Sequence, residues 1–331
     1  METTTRLLRV ALDWTPNSNH SGFYVAQAQG FYAAEGITVE IVPPSDKYDK
    51  EETPARMVVN GRADLCVAPT ESVLSCWTSD HPASTRPRCV ATLLQRNTSA
   101  IVALKSNAAI KCAADLAGKL YASYEGRFEM AIVNELITQG GGGGGGGAVE
   151  VLPPKLDCFD HVLDGRCDAT WVFMGWEGLQ RKDVELTAFS LEEHAVPYGY
   201  SPCLLAASRF TSAEAQPEDQ AVLRAFLRAT ARGYELAHKD PQLAADALFD
   251  GANHPSLHAL GRAFVLEAQQ YLSQGGDGCL LLDAATNKWG VMDAGRWEAF
   301  VKFLLEKRLL GDAHDKAAGL DVAQLFTNEF L

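Results

Sequence analysis

Short apolar runs alternate with helix-like stretches through the first two-thirds of the chain, and this rhythm constrains the fold more than any other feature. Leu7–Leu12, Ile37–Val42, Ala63–Ala68, Cys89–Gln95 and Ala100–Leu104 read as strands. Phe23–Ala34, Pro54–Asn60 and a stretch from Glu71 read as the helices between them. A second unit repeats the pattern, with strands at Leu120–Ser123, Val149–Leu152 and Ala169–Phe173, and helices at Phe128–Thr138, Phe159–Leu163 and from Trp176 to Gln180. Strand–helix alternation predicts an α/β protein, its parallel sheets covered by helices on both faces. Leu204–Ser208 reads as a strand returning to the first lobe. The remainder is mostly helical: Ala221–His238 has apolar residues near helical spacing, Pro241 suits the first turn of the next helix, and Trp297–Leu304 is a late amphipathic helix.

A chain of 331 residues is long enough for two lobes. The expected division puts residues 6–98 and 201–331 in lobe 1 and residues 99–200 in lobe 2. The two crossovers fall near Gln95–Ser99 and Pro197–Pro202. A ligand site is expected in the cleft between the lobes, with hinge closure on binding. Gly140–Gly147 is a run of eight glycines. Ordering so many glycines costs backbone entropy, so a flexible surface loop is expected. No Lys-Ser/Thr follows them, which argues against a phosphate cradle.

The formal net charge is −13, and no long Lys/Arg run occurs. Nucleic acid and insertion into a membrane are therefore not expected. No apolar stretch before Asp13 is long enough for a secretory signal. The eight cysteines are scattered, with no C-x-x-C pair and no spacing suited to a metal site. Several lie in apolar runs, where a free thiol behaves as a small hydrophobe. Reduced thiols and a cytoplasmic setting are the expectation, with a periplasmic or secreted setting the alternative if a leader has been removed.

The segment from Asp13 to Tyr24, DWTPNSNHSGFY, leads from the first strand into the first helix. It carries a carboxylate, an indole, amides and an imidazole to the carboxyl end of a strand, where open α/β sheets bind ligands. Asp13 either caps the following helix or contacts a ligand. Thr70-Glu71-Ser72 stands at another strand-to-helix turn, where capping and ligand contact are both open. Tyr124-Glu125-Gly126-Arg127-Phe128 and Trp171 to Gly178 occupy matching positions in the second unit, and Tyr198-Gly199-Tyr200 lies on the return crossover.

Several of these segments together resemble a known family: LDWTPNSNHSGFYVAQAQGFYAAEGITVEIV, GRADLCVAPTESVLS, DLAGKLYASY, LDGRCDATWVFMGWEG and PYGYSPCLLAAS. They are similar to periplasmic-type binding proteins of the sulfonate-binding and thiamine-pyrimidine-synthase-like superfamily, in its pyrimidine-precursor branch. The resemblance covers Leu7 to Phe210 well. It implies the two-lobed type II binding-protein fold and an aminopyrimidine thiamine precursor of the hydroxymethyl or formylamino type. Such a ligand needs an aromatic face and a carboxylate that accepts from its exocyclic amine. Trp14 is the expected stacking platform and Glu177 the expected carboxylate, with Asn17, His20, Glu71, Ser72, Tyr124, Trp176, Tyr198 and Tyr200 around the ligand. In synthase-like relatives the Tyr124 loop binds phosphate, so Gly126 and Arg127 are the expected contacts for an anionic group.

The same resemblance raises an enzymatic alternative, since the fungal synthase builds the pyrimidine from pyridoxal phosphate and a histidine of its own. Aligned on GRADLCVAPTESVL, its lysine position falls on Ala68 and its histidine position on Ser72. Its cysteine-rich run falls near Ser201–Leu205, where only Cys203 occurs. A Schiff base needs an amine, so that chemistry is not expected at those positions. No G-x-S-x-G elbow, Walker lysine or H-E-x-x-H helix is present. No catalytic residue, cofactor or metal is expected. A binder of an aminopyrimidine, working with a transporter or a metabolic enzyme, is the leading expectation. A divergent enzyme of pyrimidine metabolism and a sulfonate-type anion binder are the alternatives.

Overall fold

The computed structural model describes residues 6–44, 53–124, 126, 128–141, 147–152, 158–274 and 279–331. Arg127 and the centre of the glycine run lie outside the described residues. The chain divides into two compact units: Met1–Arg96, Gly199–Glu298 and Asp315–Leu331 form the first, and Asn97–Tyr198 with Ala299–His314 form the second. Residues 299–314 thus belong to the second unit, whereas the sequence assigned everything after residue 201 to the first.

The first unit opens with β1 (Arg6–Ala11), α1 (Ser21–Ala28), α2 (Phe31–Ala34), β2 (Ile37–Val42), α3 (Pro54–Val59), β3 (Leu65–Ala68), α4 (Thr70–Thr78) and β4 (Arg88–Thr92). The second holds β5 (Ser99–Leu104), β6 (Leu120–Ala122), α5 (Glu129–Gln139), β7 (Glu150–Leu152), α6 (Cys158–Leu163), β8 (Ala169–Phe173), α7 (Glu177–Gln180) and β9 (Leu186–Ser190). Then come β10 (Cys203–Ala206), α8 (Ser208–Thr211), α9 (Pro217–Lys239), α10 (Pro241–Ala252), α11 (Pro255–Leu260), α12 (Arg262–Gln274), α13 (Ala294–Glu306) and α14 (His314–Ala318). The expected helix Phe23–Ala34 is two helices, because Gly30 adopts φ +68° and breaks the ladder.

Each unit is built on one five-stranded sheet, ordered β2-β1-β3-β10-β4 in the first and β7-β6-β8-β5-β9 in the second. The expected all-parallel sheets are in fact mixed. β10 runs antiparallel to both β3 and β4, and β5 runs antiparallel to both β8 and β9. Strand order follows the same rule twice. In the first unit the chain leaves β1 for β2 on one side and returns to β3 on the other, and β6, β7 and β8 repeat that path. Such a reversal leaves a crevice at the carboxyl ends of the two central strands. The loops after β1 and β3, and those after β6 and β8, therefore stand at switch points.

The first unit's core joins Leu8 and Val10 of β1, Leu65 and Val67 of β3 and Leu204 of β10 to Phe226, Leu227 and Tyr234 of α9. The pairing of α1 with α9 brings the loop after β1 under α9. A Cβ at Gly233 would overlap the Gly22 carbonyl oxygen, and one at Gly22 would overlap the Tyr234 ring. Only glycine permits the two backbones to approach this closely.

Candidate functional site

The loop after β1 is held by its own side chains. Asn17 is 5% exposed. Its Oδ1 accepts from Asn19 N at 2.9 Å and its Nδ2 donates to Thr15 O at 3.0 Å. Its backbone N–H donates to His20 Nδ1 at 3.3 Å. With Nδ1 accepting, the imidazole proton lies on Nε2 and is donated to Asp13 Oδ1 at 2.9 Å. From above, Tyr234 donates its hydroxyl hydrogen to Asn19 O at 2.7 Å and stacks on Trp289 at 4.7 Å with ring planes 5° apart.

Two expectations change here. His20, expected to contact a ligand, is completely buried with both ring nitrogens engaged, one of them on Asp13. Asn17 is likewise consumed in closing the turn, and Asn17, not Asp13, caps the short helical turn Ser18–His20. What the loop presents outward is Asp13, with 28% of its side chain exposed, and the half-buried indole of Trp14.

At the end of the neighbouring β3, Glu71 is buried in the first turn of α4, where a carboxylate complements the helix dipole, and Ser72 is half-buried. The Thr70 hydroxyl does not cap its own helix. It donates to Tyr200 O at 2.6 Å, and Thr70 N donates to the same oxygen at 3.0 Å. Tyr200 is buried, accepts from Asp293 N at 2.8 Å through its hydroxyl, and lies 4.2 Å beneath the Arg296 guanidinium. Tyr200 stands among the residues expected around the ligand. The structure packs it.

In the second unit the switch-point loops are organised by carboxylates. Glu129, at the start of α5 and 2% exposed, accepts from the Tyr121 hydroxyl, the Ser123 hydroxyl and Gly126 N, each at 2.8 Å. Burial pushes its carboxyl above the usual range, while these hydrogen bonds oppose the shift. The Gly126 amide, expected to meet an anionic group, is hydrogen-bonded to this internal carboxylate. Glu177 Oε2 accepts from Phe173 N at 3.0 Å and closes the turn after β8, and burial raises its carboxyl too. Trp176, expected to face a ligand, is 7% exposed. Tyr124 is half-buried, its ring 6.2 Å from Trp171. Tyr198 is buried between Trp171 at 5.7 Å and Phe300 at 5.1 Å. The buried Trp171 indole N–H has no acceptor among the described residues, and Asn97 Nδ2 and Ser99 Oγ are likewise without a partner there.

No group of three or more His, Cys, Asp or Glu among the described residues is placed to hold a metal. Ala68 ends β3, and Ser72 stands in the first turn of α4.

The family model described as NMT1/THI5 like matches residues 17–244. The chain belongs to that family. It is 27% identical over 321 residues to the formylaminopyrimidine-binding protein of Halalkalibacterium halodurans, across 93% of this chain and 85% of that protein. It is 25% identical to the 4-amino-5-hydroxymethyl-2-methylpyrimidine phosphate synthase of Legionella pneumophila, across 72% of this chain and 71% of that protein. Its fold matches the alkanesulfonate-binding protein SsuA of Xanthomonas axonopodis pv. citri with a TM-score of 0.65 at 14% identity, over 97% of this chain and 98% of that one. A protein from Bordetella bronchiseptica RB50 gives a TM-score of 0.69 at 18% identity, over 99% of this chain and 96% of that one. The two-lobed binding-protein fold inferred from sequence is therefore the fold of this chain. No helix among the described residues is long and apolar enough to cross a membrane.

Sequence reasoning missed two contributors. Glu129 lay one residue beyond the Tyr124–Phe128 loop, and a helix-start acid at that place is the only signal it gives. Tyr234 was read as one apolar position of a helix, and no local pattern joins it to Asn19, 215 residues away.

Proposed function

We propose that this chain binds a small aminopyrimidine of thiamine metabolism, of the hydroxymethyl or formylamino type, and leaves it chemically unchanged. The observation that carries this is the pair at the β1 and β3 switch point. Asp13 is part-exposed and held by the buried His20, and it stands beside the half-buried Trp14. A fixed carboxylate accepts from the exocyclic amine and, on a protonated ring, from the adjacent nitrogen, while an indole stacks on the ring face. His20 donates to one oxygen of Asp13 and so orients the other without competing for it. Ser72 stays half-buried at the neighbouring strand end and joins the proposed contacts. Of the second-unit residues, Tyr124 and Glu177 are half-buried and remain in the proposal.

The relative named as a formylaminopyrimidine-binding protein, which matches nearly the whole chain, supports this reading. Ala68 and Ser72 at the synthase positions weigh against pyrimidine synthesis, and the commitment of Gly126 N to Glu129 weighs against an anion at that loop. The free cysteines fit a reducing compartment, and we include a cytoplasmic setting in the proposal.

Native mass spectrometry tests it. The protein is measured alone and with 4-amino-5-hydroxymethyl-2-methylpyrimidine, its formylamino relative, thiamine and pyridoxal phosphate. The expected result is a one-to-one adduct of unmodified aminopyrimidine. A covalent pyridoxal adduct or a changed ligand mass would instead mark an enzyme.

A further inference from the structure

Six of the eight cysteines are buried: Cys66, Cys76, Cys89, Cys158, Cys167 and Cys203. Burial pushes the Cys66 and Cys203 thiols well above their usual range and Cys167 up to about 11, so these are inert packing groups. Two thiols are accessible, and their partners differ. Cys112 is exposed beside Asp115, whose carboxylate accepts from the Cys112 amide at 3.0 Å. At the same place the Cys112 sulfur accepts from the Asp115 backbone amide in the first turn of the short helical segment Ala113–Leu116. Cys279 is half-buried, and its Sγ lies 3.2 Å from His238 Nδ1.

The geometry points to Cys279 as a modification site: a nucleophilic thiol served by His238 as its base, open to small soft electrophiles. A thiol and an imidazole in hydrogen-bond reach form the pairing that activates cysteine for attack. As the Cys279 sulfur attacks an electrophilic carbon, the carbon–sulfur bond forms and the leaving group departs with its bonding electrons. The thiol proton passes to His238 Nδ1. His238 stands in the last turn of α9, where the helix carbonyls favour a positive charge, so the imidazolium produced is stabilised. Neither residue belongs to the proposed ligand site, so this inference does not depend on it.

The test is timed labelling of the native full-length protein with limiting iodoacetamide at pH 7, followed by peptide mass mapping. A free thiol is only a few per cent thiolate at that pH, so Cys279 should label about tenfold faster than Cys112. His238→Gln should bring the Cys279 rate down to that of Cys112 and leave Cys112 unchanged. Labelling of the six buried thiols would report unfolding of the variant, in which case the wild-type ratio decides alone. Equal rates at Cys279 and Cys112 in the wild type, or an unchanged Cys279 rate in a folded His238→Gln, would overturn the assignment.

Discussion

The two units share one topology and use their carboxylates in opposite ways. Each sheet places one reversed strand in the penultimate position, and each has a switch point flanked by two strand-end loops. In the first unit the loop after β1 is closed by amides and an imidazole, which leaves Asp13 part-exposed. In the second unit the carboxylates themselves close the loops. Glu129 gathers three donors, Glu177 takes the Phe173 amide, and burial raises both. The loop after β1 thus leaves a carboxylate part-exposed where the matching loop after β6 spends one on structure, whereas Glu71 after β3 is buried.

If that contrast is right, the largest stability loss comes from Glu129. Glu129→Ala strands the buried Tyr121 and Ser123 hydroxyls and the Gly126 amide, and should cost about 3 kcal/mol in urea unfolding. Asp13→Asn keeps the acceptor for His20, so its stability should move by less than about 1 kcal/mol.

Ligand affinity should show the reverse order. Trp14→Ala and Asp13→Asn should each weaken aminopyrimidine binding by about 1–3 kcal/mol, the scale of a lost stack or charged hydrogen bond. Glu177→Gln should cost about 1 kcal/mol of stability and less affinity than either. A larger affinity loss at Glu177 than at Trp14 would move recognition to the second unit.

The smallest effect is a pH dependence. Below the ordinary carboxylate range Glu129 is neutral in both the folded and unfolded chain. As pH rises through that range the unfolded chain releases its proton first, because the folded value is raised. The folded state then binds more protons, and its stability falls with rising pH until the folded carboxyl ionises too. Glu129→Gln has no proton to lose, so its stability relative to wild type should improve from acid toward neutral pH. Glu177→Gln should follow with the same sign.

Much of the fold was legible, because strand–helix alternation is a local signal. Ile37–Val42 and Ala169–Phe173 carry enough apolar and β-branched residues to fix their strands at the residue. Strand direction was not legible: β5 and β10 look like their parallel neighbours, and only the chain path reverses them. β9 escaped notice because LTAFS has weak alternation. At the site, sequence found the right loops and mixed the roles within them. Asp13, Asn17 and His20 are all plausible ligand groups by type, and which of them is spent on the turn depends on three-dimensional partners. Tyr234 and Glu129 act through contacts that no spacing rule encodes.

The central claim is that Asp13 and Trp14 in the first unit's switch-point loop carry most of the ligand recognition while Glu129 of the second unit builds structure. Isothermal titration of the formylamino pyrimidine into wild type, Asp13→Asn and Glu129→Gln tests it most directly. The account predicts one-to-one binding to wild type, an affinity lowered about tenfold to a hundredfold in Asp13→Asn, and near-wild-type affinity in a folded Glu129→Gln. Unchanged affinity in Asp13→Asn, or a greater loss in Glu129→Gln, would contradict it.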